Sequence, residues 1–269
     1  MRSGVSFPSY GAPAVWAGVT GAWEADYPVT NLADLLSIRR VARATNGALR
    51  AFTFILPAAK PLKFIGMAHH NADKTSTMRI RLFSDNNPDP VGNAGAIVHD
   101  SAVMNVFPTG AAPNLLNPQL RPYLLNEAVT ARSGRIDLSA NSNPWVIGGF
   151  ELSGFWEWTD VAVPRAFGVA SGDSVVEMAN SVNHTMAGWS PRIVSGARAS
   201  ITQAEADTTA LDFQLEKKTS NPFVWVWDAA DPSTWDREAF LVTNNTLPVT
   251  TALAYPKAAF SFDFKEHLR

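Results

Sequence analysis

Residues 51–83 read AFTFILPAAKPLKFIGMAHHNADKTSTMRIRLF, and their alternation decides the fold class. Phe52, Phe54 and Leu56 fall on one face of an extended segment while Ala51, Thr53 and Ile55 take the other, the period of two that a strand imposes. Leu62–Ala68 reads as a second strand. In a third, Met78, Ile80 and Leu82 face inward and Arg79 and Arg81 outward. The intervening HHNADKTST reads as a turn with polar tips.

Working outward, Ala96–His99, Val103–Phe107, Arg135–Leu138 and Trp145–Leu152 continue the series, separated by Pro, Asn and Gly. Short strands so spaced predict a mainly β protein, an antiparallel jelly-roll-like sandwich rather than βαβ units. Two helices interrupt the pattern. Asn31 is a candidate N-cap for a brief helix through Leu32, Leu35, Leu36 and Ile38. Thr202 and Glu205 form a capping box for the main helix, about 202–218, which Lys217 and Lys218 close and Asn221 and Pro222 end. Phe223–Trp227 and Phe260–Phe264 then read as strands. The expected division is a sandwich over 1–165 and a smaller α+β domain over 166–269, with a boundary near Pro164 and Gly168.

Residues 107–134 fit neither pattern. Four prolines and three asparagines alternate with Leu115, Leu116, Leu120, Tyr123 and Leu124, a connection longer than the ~12–15 residues usual for loops. It reads as an arm packing on a neighbouring subunit, or as a short helix near Leu124 covering the domain's own core.

Composition narrows the function. With 22 basic and 24 acidic residues the chain lacks the electrostatic footprint of a nucleic-acid binder. It has no cysteine, so neither disulfides nor thiolate metal sites are available. No window approaches a membrane span, and MRSGVSFPSYGAPAV has no apolar export core, so a soluble, unexported chain is expected. Charged residues are only 17%, against about 25% in typical soluble domains, beside nine Trp and fifteen Phe. Either apolar patches serve assembly, or an Asn/Ser/Thr-rich surface covers a large aromatic core.

Catalytic and metal chemistry find little support. His69, His70, His99, His184 and His267 show no metal-ligand spacing, and alternation sends His69 and His70 to opposite faces. Glu151 with Glu157, and Asp228, Asp231 and Asp236 around Trp235, could imitate a sugar subsite, yet no nucleophile, base and orienter assemble. Ser101 lacks a nucleophile elbow, and no phosphate-binding glycine loop occurs. No catalytic, cofactor-binding or metal-binding residue is therefore assigned, and the chain is not expected to be an enzyme.

The stretches WEADYPVTNLADLLSIRRVARAT (Trp23–Thr45), FTFILPAAKPLKFIGMAHHN, MRIRLFSD, GAIVHDSAVMNVFP and WVIGGFEL, taken in order, resemble minor tail or tail-tip (baseplate) proteins of long-tailed bacteriophages. The N-terminal part of those proteins is similar to a galactose-binding-like, discoidin-type sandwich. The resemblance implies that Tyr27 and Pro28 lead into a small helix, that His70 and Asn71 end a core strand, and that Asp100 and Ser101 occupy a turn where Ala102 replaces the usual glycine. It implies a structural virion protein between tail tube and adsorption apparatus. Such a protein forms a homo-oligomeric ring of its own copies, contacts other tail proteins, is made in the host cytoplasm and needs no cofactor. The alternative is a carbohydrate-binding module for host-surface recognition. Interface candidates are Leu115, Leu116, Leu120, Tyr123, Trp156 and Trp158; glycan-contact candidates are Trp158 and Trp235.

Overall fold

The computed structural model describes residues 2–33, 35, 40–89, 91–92, 94–107, 120–158, 166–169, 174–177, 183–186, 191–235, 239–253 and 255–267. The chain begins with strands β1 (Ser3–Ser9) and β2 (Val15–Thr20), a 3-10 turn Val29–Ala33, and β3 (Ala42–Arg43). It continues through β4 (Arg50–Ala68), β5 (Thr77–Phe83), β6 (Ile97–Asp100), β7 (Met104–Asn105), β8 (Leu120–Leu138), β9 (Val146–Ile147) and β10 (Gly149–Trp158). Next come β11 (Ala166–Val169), β12 (Ser174–Glu177), β13 (Asn183–Met186) and β14 (Arg192–Thr202). A helix, β15 (Phe223–Val226), β16 (Ala239–Ala252) and β17 (Lys257–Glu266) complete the chain.

Two compact units result: Met1–Glu157 with Phe223–Phe240, and Trp158–Pro222 with Leu241–Leu268. The division is not contiguous in sequence, unlike the split expected at 165/166. Phe223–Phe240 lies with the first unit because β15 pairs antiparallel with β1, Gly4 opposite Val226 and Val5 opposite Trp225.

The first unit is a sandwich whose two long strands serve both layers. The first half of β4 pairs with β2, Val15 opposite Ile55, and its second half pairs with β10, Ser153 opposite Phe64. β8 follows β4 along both halves, and β5 joins β8 over Ser133–Leu138. Between the halves the register shifts: four residues of β4, 56–59, face one of β8. Such a bulge bends a strand and lets it change layer. Pro57 and Pro61 fall where β4 has a neighbour on one side only, an edge environment that tolerates proline.

The layers close on an aromatic core. Trp16 of β2 lies 5.5 Å from Phe150 of β10 and 5.3 Å from Phe54, and Phe52 lies 5.4 Å from Phe150. All four rings are buried, as are Met78, Ile80 and Leu82, the predicted inward face of β5. Outward, Arg81 and Arg135 converge on Asp137, and Arg79 holds Asp100 through two hydrogen bonds, so the outer face is laced by charge. The Asp100 turn keeps the left-handed conformation that glycine would favour: Ala102 has φ 55°, and its N–H donates to Asp100 Oδ1 at 3.0 Å.

In the second unit β11, β14, β17 and β16 form consecutive antiparallel strands, and β12 and β13 form a separate hairpin. The alternation of β17 puts Phe260, Phe262 and Phe264 on one buried face. The helix, α1, consists of an α turn Gln203–Glu205, a π turn Ala206–Ala210 and an α segment Leu211–Lys217. Thr202 caps it by accepting the Glu205 N–H at 3.1 Å, as the capping-box reading required, while the Glu205 carboxylate pairs with Arg198. Phe213 packs against Phe260 and Phe264, whereas Leu211 and Leu215 remain exposed.

Several expectations are corrected. Leu120–Leu138 is a strand, not an arm: Pro122 lies opposite Gly66 where β8 has a partner on one side only, so the missing N–H breaks no ladder. Residues 108–119, including Leu115 and Leu116, lie outside the described residues. Asn31 sits inside the 3-10 turn rather than capping a helix; its amide donates to the Val41 carbonyl at 2.9 Å. His69 and His70 are buried, not polar tips.

Candidate functional site

A cleft of about 220 Å³ in the first unit is lined by side chains that five separate segments bring together. Arg2 precedes β1, Lys63 lies in β4, Leu124–Asn126 in β8, Glu157 near the end of β10, and Ala229, Ala230, Pro232 and Trp235 follow β15. The pairing of β4 with β8 builds one wall. Leu62 opposes Val129 and Phe64 opposes Leu124, so Lys63 alone stands against the four residues 125–128. That bulge buries Leu125 and turns Asn126 outward.

The opposite wall is a loop that holds itself. β1 and β15 carry the N-terminus alongside residue 228, where the Arg2 N–H donates to Asp228 Oδ1 at 3.3 Å and the Ala229 N–H to the Arg2 carbonyl at 2.5 Å. The Ala230 N–H also donates to Asp228 Oδ1, at 3.0 Å. Asp231 caps the next 3-10 turn, accepting the Ser233 N–H at 3.0 Å and its hydroxyl at 2.6 Å. The Trp235 indole N–H donates to the Asp228 carbonyl at 2.8 Å.

Among the described lining residues one carboxylate meets two cations. Glu157 accepts an ion pair on each oxygen, from Arg2 Nη1 and from Lys63 Nζ, both at 3.3 Å. Two cations thus share one carboxylate, and Asp228 is turned toward backbone N–H groups. Lys63 and Glu157 are about three-quarters buried while Arg2 is 64% exposed, so the Lys63–Glu157 pair is partly shielded from water.

A second polar cluster lies inside the same unit. His70, whose ring is 5.7 Å from Phe107, is pushed down to about 3 by burial, with positive Arg121 and neighbouring His69 adding to the effect. Arg121 is itself lowered to about 10 by burial; its guanidinium donates to the Pro122 carbonyl at 2.8 Å and reaches Met104 Sδ at 3.5 Å. Nearby in sequence, Tyr123 and His99 share a 2.8 Å hydrogen bond, and burial raises the tyrosine and lowers the histidine.

The predicted site residues fare unevenly. Trp235, a glycan-contact candidate, lines the cleft with only 4% of its surface exposed. Trp158 is corrected on both counts, as interface and as glycan contact: it is fully buried, 5.1 Å from Phe262 and 5.7 Å from Phe260, because the aromatic face of β17 needs a filler. Trp156 is buried 6.5 Å from Phe7 and offers little to a partner. Leu120 and Tyr123 are half-buried in β8. The acidic pair separates, since Glu151 is buried and accepts from Ser9 whereas Glu157 joins the cleft. Asp228 and Asp231 serve the loop, and Asp236 lies outside the described residues. Arg2 and Lys63 escaped sequence reasoning. A lone charge near a terminus and another between two strand turns carry no pattern until pairing joins them.

No protein-family model matches the chain, and no curated protein matches it. Among solved structures it is similar to the family 32 carbohydrate-binding module of Clostridium perfringens NanJ in complex with galactose, at 9% identity over 58% of this chain and 100% of that one, with a TM-score of 0.39. It is also similar to a chitosan-binding module from Paenibacillus sp. IK-5 at 11% identity, 55% and 99% coverage and a TM-score of 0.40. A Streptococcus pneumoniae fucose-binding module matches at 9% identity, 55% and 98% coverage and a TM-score of 0.38.

Proposed function

We propose that this protein is a non-catalytic carbohydrate-binding module whose ligand occupies the cleft between Lys63 and Trp235. The observation that carries the reading is the lining itself: an aromatic side chain and aliphatic groups beside Arg2, Lys63, Glu157 and the Asn126 amide. A sugar ring offers hydroxyls to such donors and acceptors and C–H surface to the apolar side. The volume, below the ~300–1,000 Å³ usual for drug-sized ligands, suits one ring. Glycoside hydrolysis needs two carboxylates, and among the described lining residues Glu157 stands alone, held by two cations. Titrating the chain with neutral and acidic monosaccharides while following tryptophan fluorescence tests the reading. Saturable binding that Trp235→Ala abolishes supports it; no response to any sugar overturns it.

As a second reading we propose a ring-forming structural protein of a phage tail tip, resident in the virion. Its support is the ordered resemblance from Trp23 onward together with apolar exposure on β2, where Val15 and Val19 are 66% and 50% exposed. Among the described residues β2 pairs only with β4, leaving an open edge. Sedimentation over a hundredfold concentration range decides this reading: it requires a closed oligomer that Val15→Lys with Val19→Lys dissociates, and a strict monomer excludes it.

A further inference from the structure

We propose that Arg121 and His70 together hold an oxyanion, the carboxylate, sulfate or phosphate group of a small ligand, inside the first unit and apart from the saccharide cleft. Strand pairing sets Arg121 opposite Met67, and Met67 belongs to the core, so the arginine side chain leaves β8 on the inward face. His70 follows the end of β4, and its ring lies 5.7 Å from that of Phe107. Arg121 is 7% exposed and His70 5%. A charged side chain so enclosed is ordinarily paired with an opposite charge.

Both groups lack an acceptor. His70 Nδ1 accepts the Ala72 N–H at 3.3 Å, which puts the proton of the neutral ring on Nε2, and that N–H has no partner among the described residues. Arg121 Nε has none either; Nη1 donates to the carbonyl of the adjoining Pro122, and Nη2 reaches the weak acceptor Met104 Sδ at 3.5 Å. Countercharge is lacking as well. Arg121 and His69 act on His70, Tyr123 acts on Arg121, and no described carboxylate acts on either group. Asp100, whose charge is felt at Tyr123, is held by Arg79 through two hydrogen bonds. Residues 108–119, which join Phe107 to Leu120, contain no Asp or Glu. A neutral acceptor would satisfy the donors and leave the charge uncompensated. An oxyanion removes both deficits, and its oxygens match the planar fork of a guanidinium.

Urea unfolding of the whole chain at neutral pH, in acetate, sulfate or phosphate with sodium chloride holding the ionic strength constant, tests the proposal beside isothermal titration of the same three anions. At least one is expected to bind, and to raise the folded-to-unfolded ratio about tenfold at ten times its Kd. Salting-out by sulfate or phosphate stabilises every variant alike, so the response is read as the difference between the parent and Arg121→Gln, which should lose it. Lys63→Met, a change in the cleft, should keep it. His70→Phe removes one donor to a charged acceptor and should weaken binding about tenfold. The preference among the three anions identifies the oxyanion. An equal response of Arg121→Gln and the parent overturns the proposal, and undiminished binding by His70→Phe overturns the joint assignment. Should Arg121→Gln fail to fold, the titrations of the parent decide: heat of binding with none of the three anions overturns the proposal, and binding that His70→Phe weakens supports it.

Discussion

The Trp235 indole N–H donates to the Asp228 carbonyl at 2.8 Å, so ring and loop hold each other across seven residues on one side of the cleft. Trp235→Phe keeps an aromatic ring and removes that bond. The expected cost is about 1 kcal/mol of stability, the usual net worth of one intramolecular hydrogen bond, with weakened ligand binding. Trp235→Ala also empties a buried site and should cost about 3 kcal/mol or more. Urea midpoints and titration calorimetry on both variants separate the two effects.

Ala102 occupies a conformation that penalises its Cβ, with φ 55° in the turn that Asp100 caps. Left-handed backbone costs an ordinary residue about 1–2 kcal/mol. Glycine relieves that strain but gains freedom in the unfolded chain worth about 0.4–1 kcal/mol. Ala102→Gly is therefore expected to stabilise the first unit by a little under 1 kcal/mol, read as a raised denaturant midpoint with unchanged slope.

Gly4 of β1 has no room for a side chain. A Cβ there would sit 2.4 Å from the Phe155 ring and 2.8 Å from the Trp156 carbonyl oxygen, and the second contact is backbone. Gly4→Ala should destabilise by about 1–3 kcal/mol. Because β1 also positions Arg2, the same variant should weaken ligand binding, measurable by calorimetry below the unfolding range.

Acid stability should depend on His70. Its imidazole is held neutral in the folded protein, pushed down to about 3, while in the unfolded chain it titrates near 6.5. Between those values the unfolded state binds the extra proton, so stability rises with pH through this window and is progressively lost on acidification. Burial dominates the shift and Arg121 and His69 add to it. His70→Gln should flatten the dependence between about pH 6.5 and pH 4 in urea unfolding at stepped pH. An unchanged slope assigns the acid sensitivity to other groups.

Much of the architecture was legible because strand alternation and burial follow the same period. Met78, Ile80 and Leu82 face the core, and Phe260 and Phe264 share a buried face, as their spacing requires. Thr202 and Glu205 marked the start of α1 because a cap is a local contact, complete within four residues. Prolines misled the reading at 120–134. They signal breaks in isolation, but Pro122 sits on a strand side with no partner, a circumstance set by distant pairing. Trp158 misled it differently: nothing local says whether an aromatic side chain meets solvent or the rings of Phe260 and Phe262.

From the order of its residues alone this chain is determined to be mainly β, with one main capped helix after residue 202, since period and capping are read over a few neighbours. The cleft was decided by tertiary structure. Its charged members, Arg2, Lys63 and Glu157, are far apart in sequence, and they meet because β1 pairs with β15, β10 with β4, and a bulge in β8 faces Lys63. Ion pairing depends on distances in space, and strand pairing sets those distances.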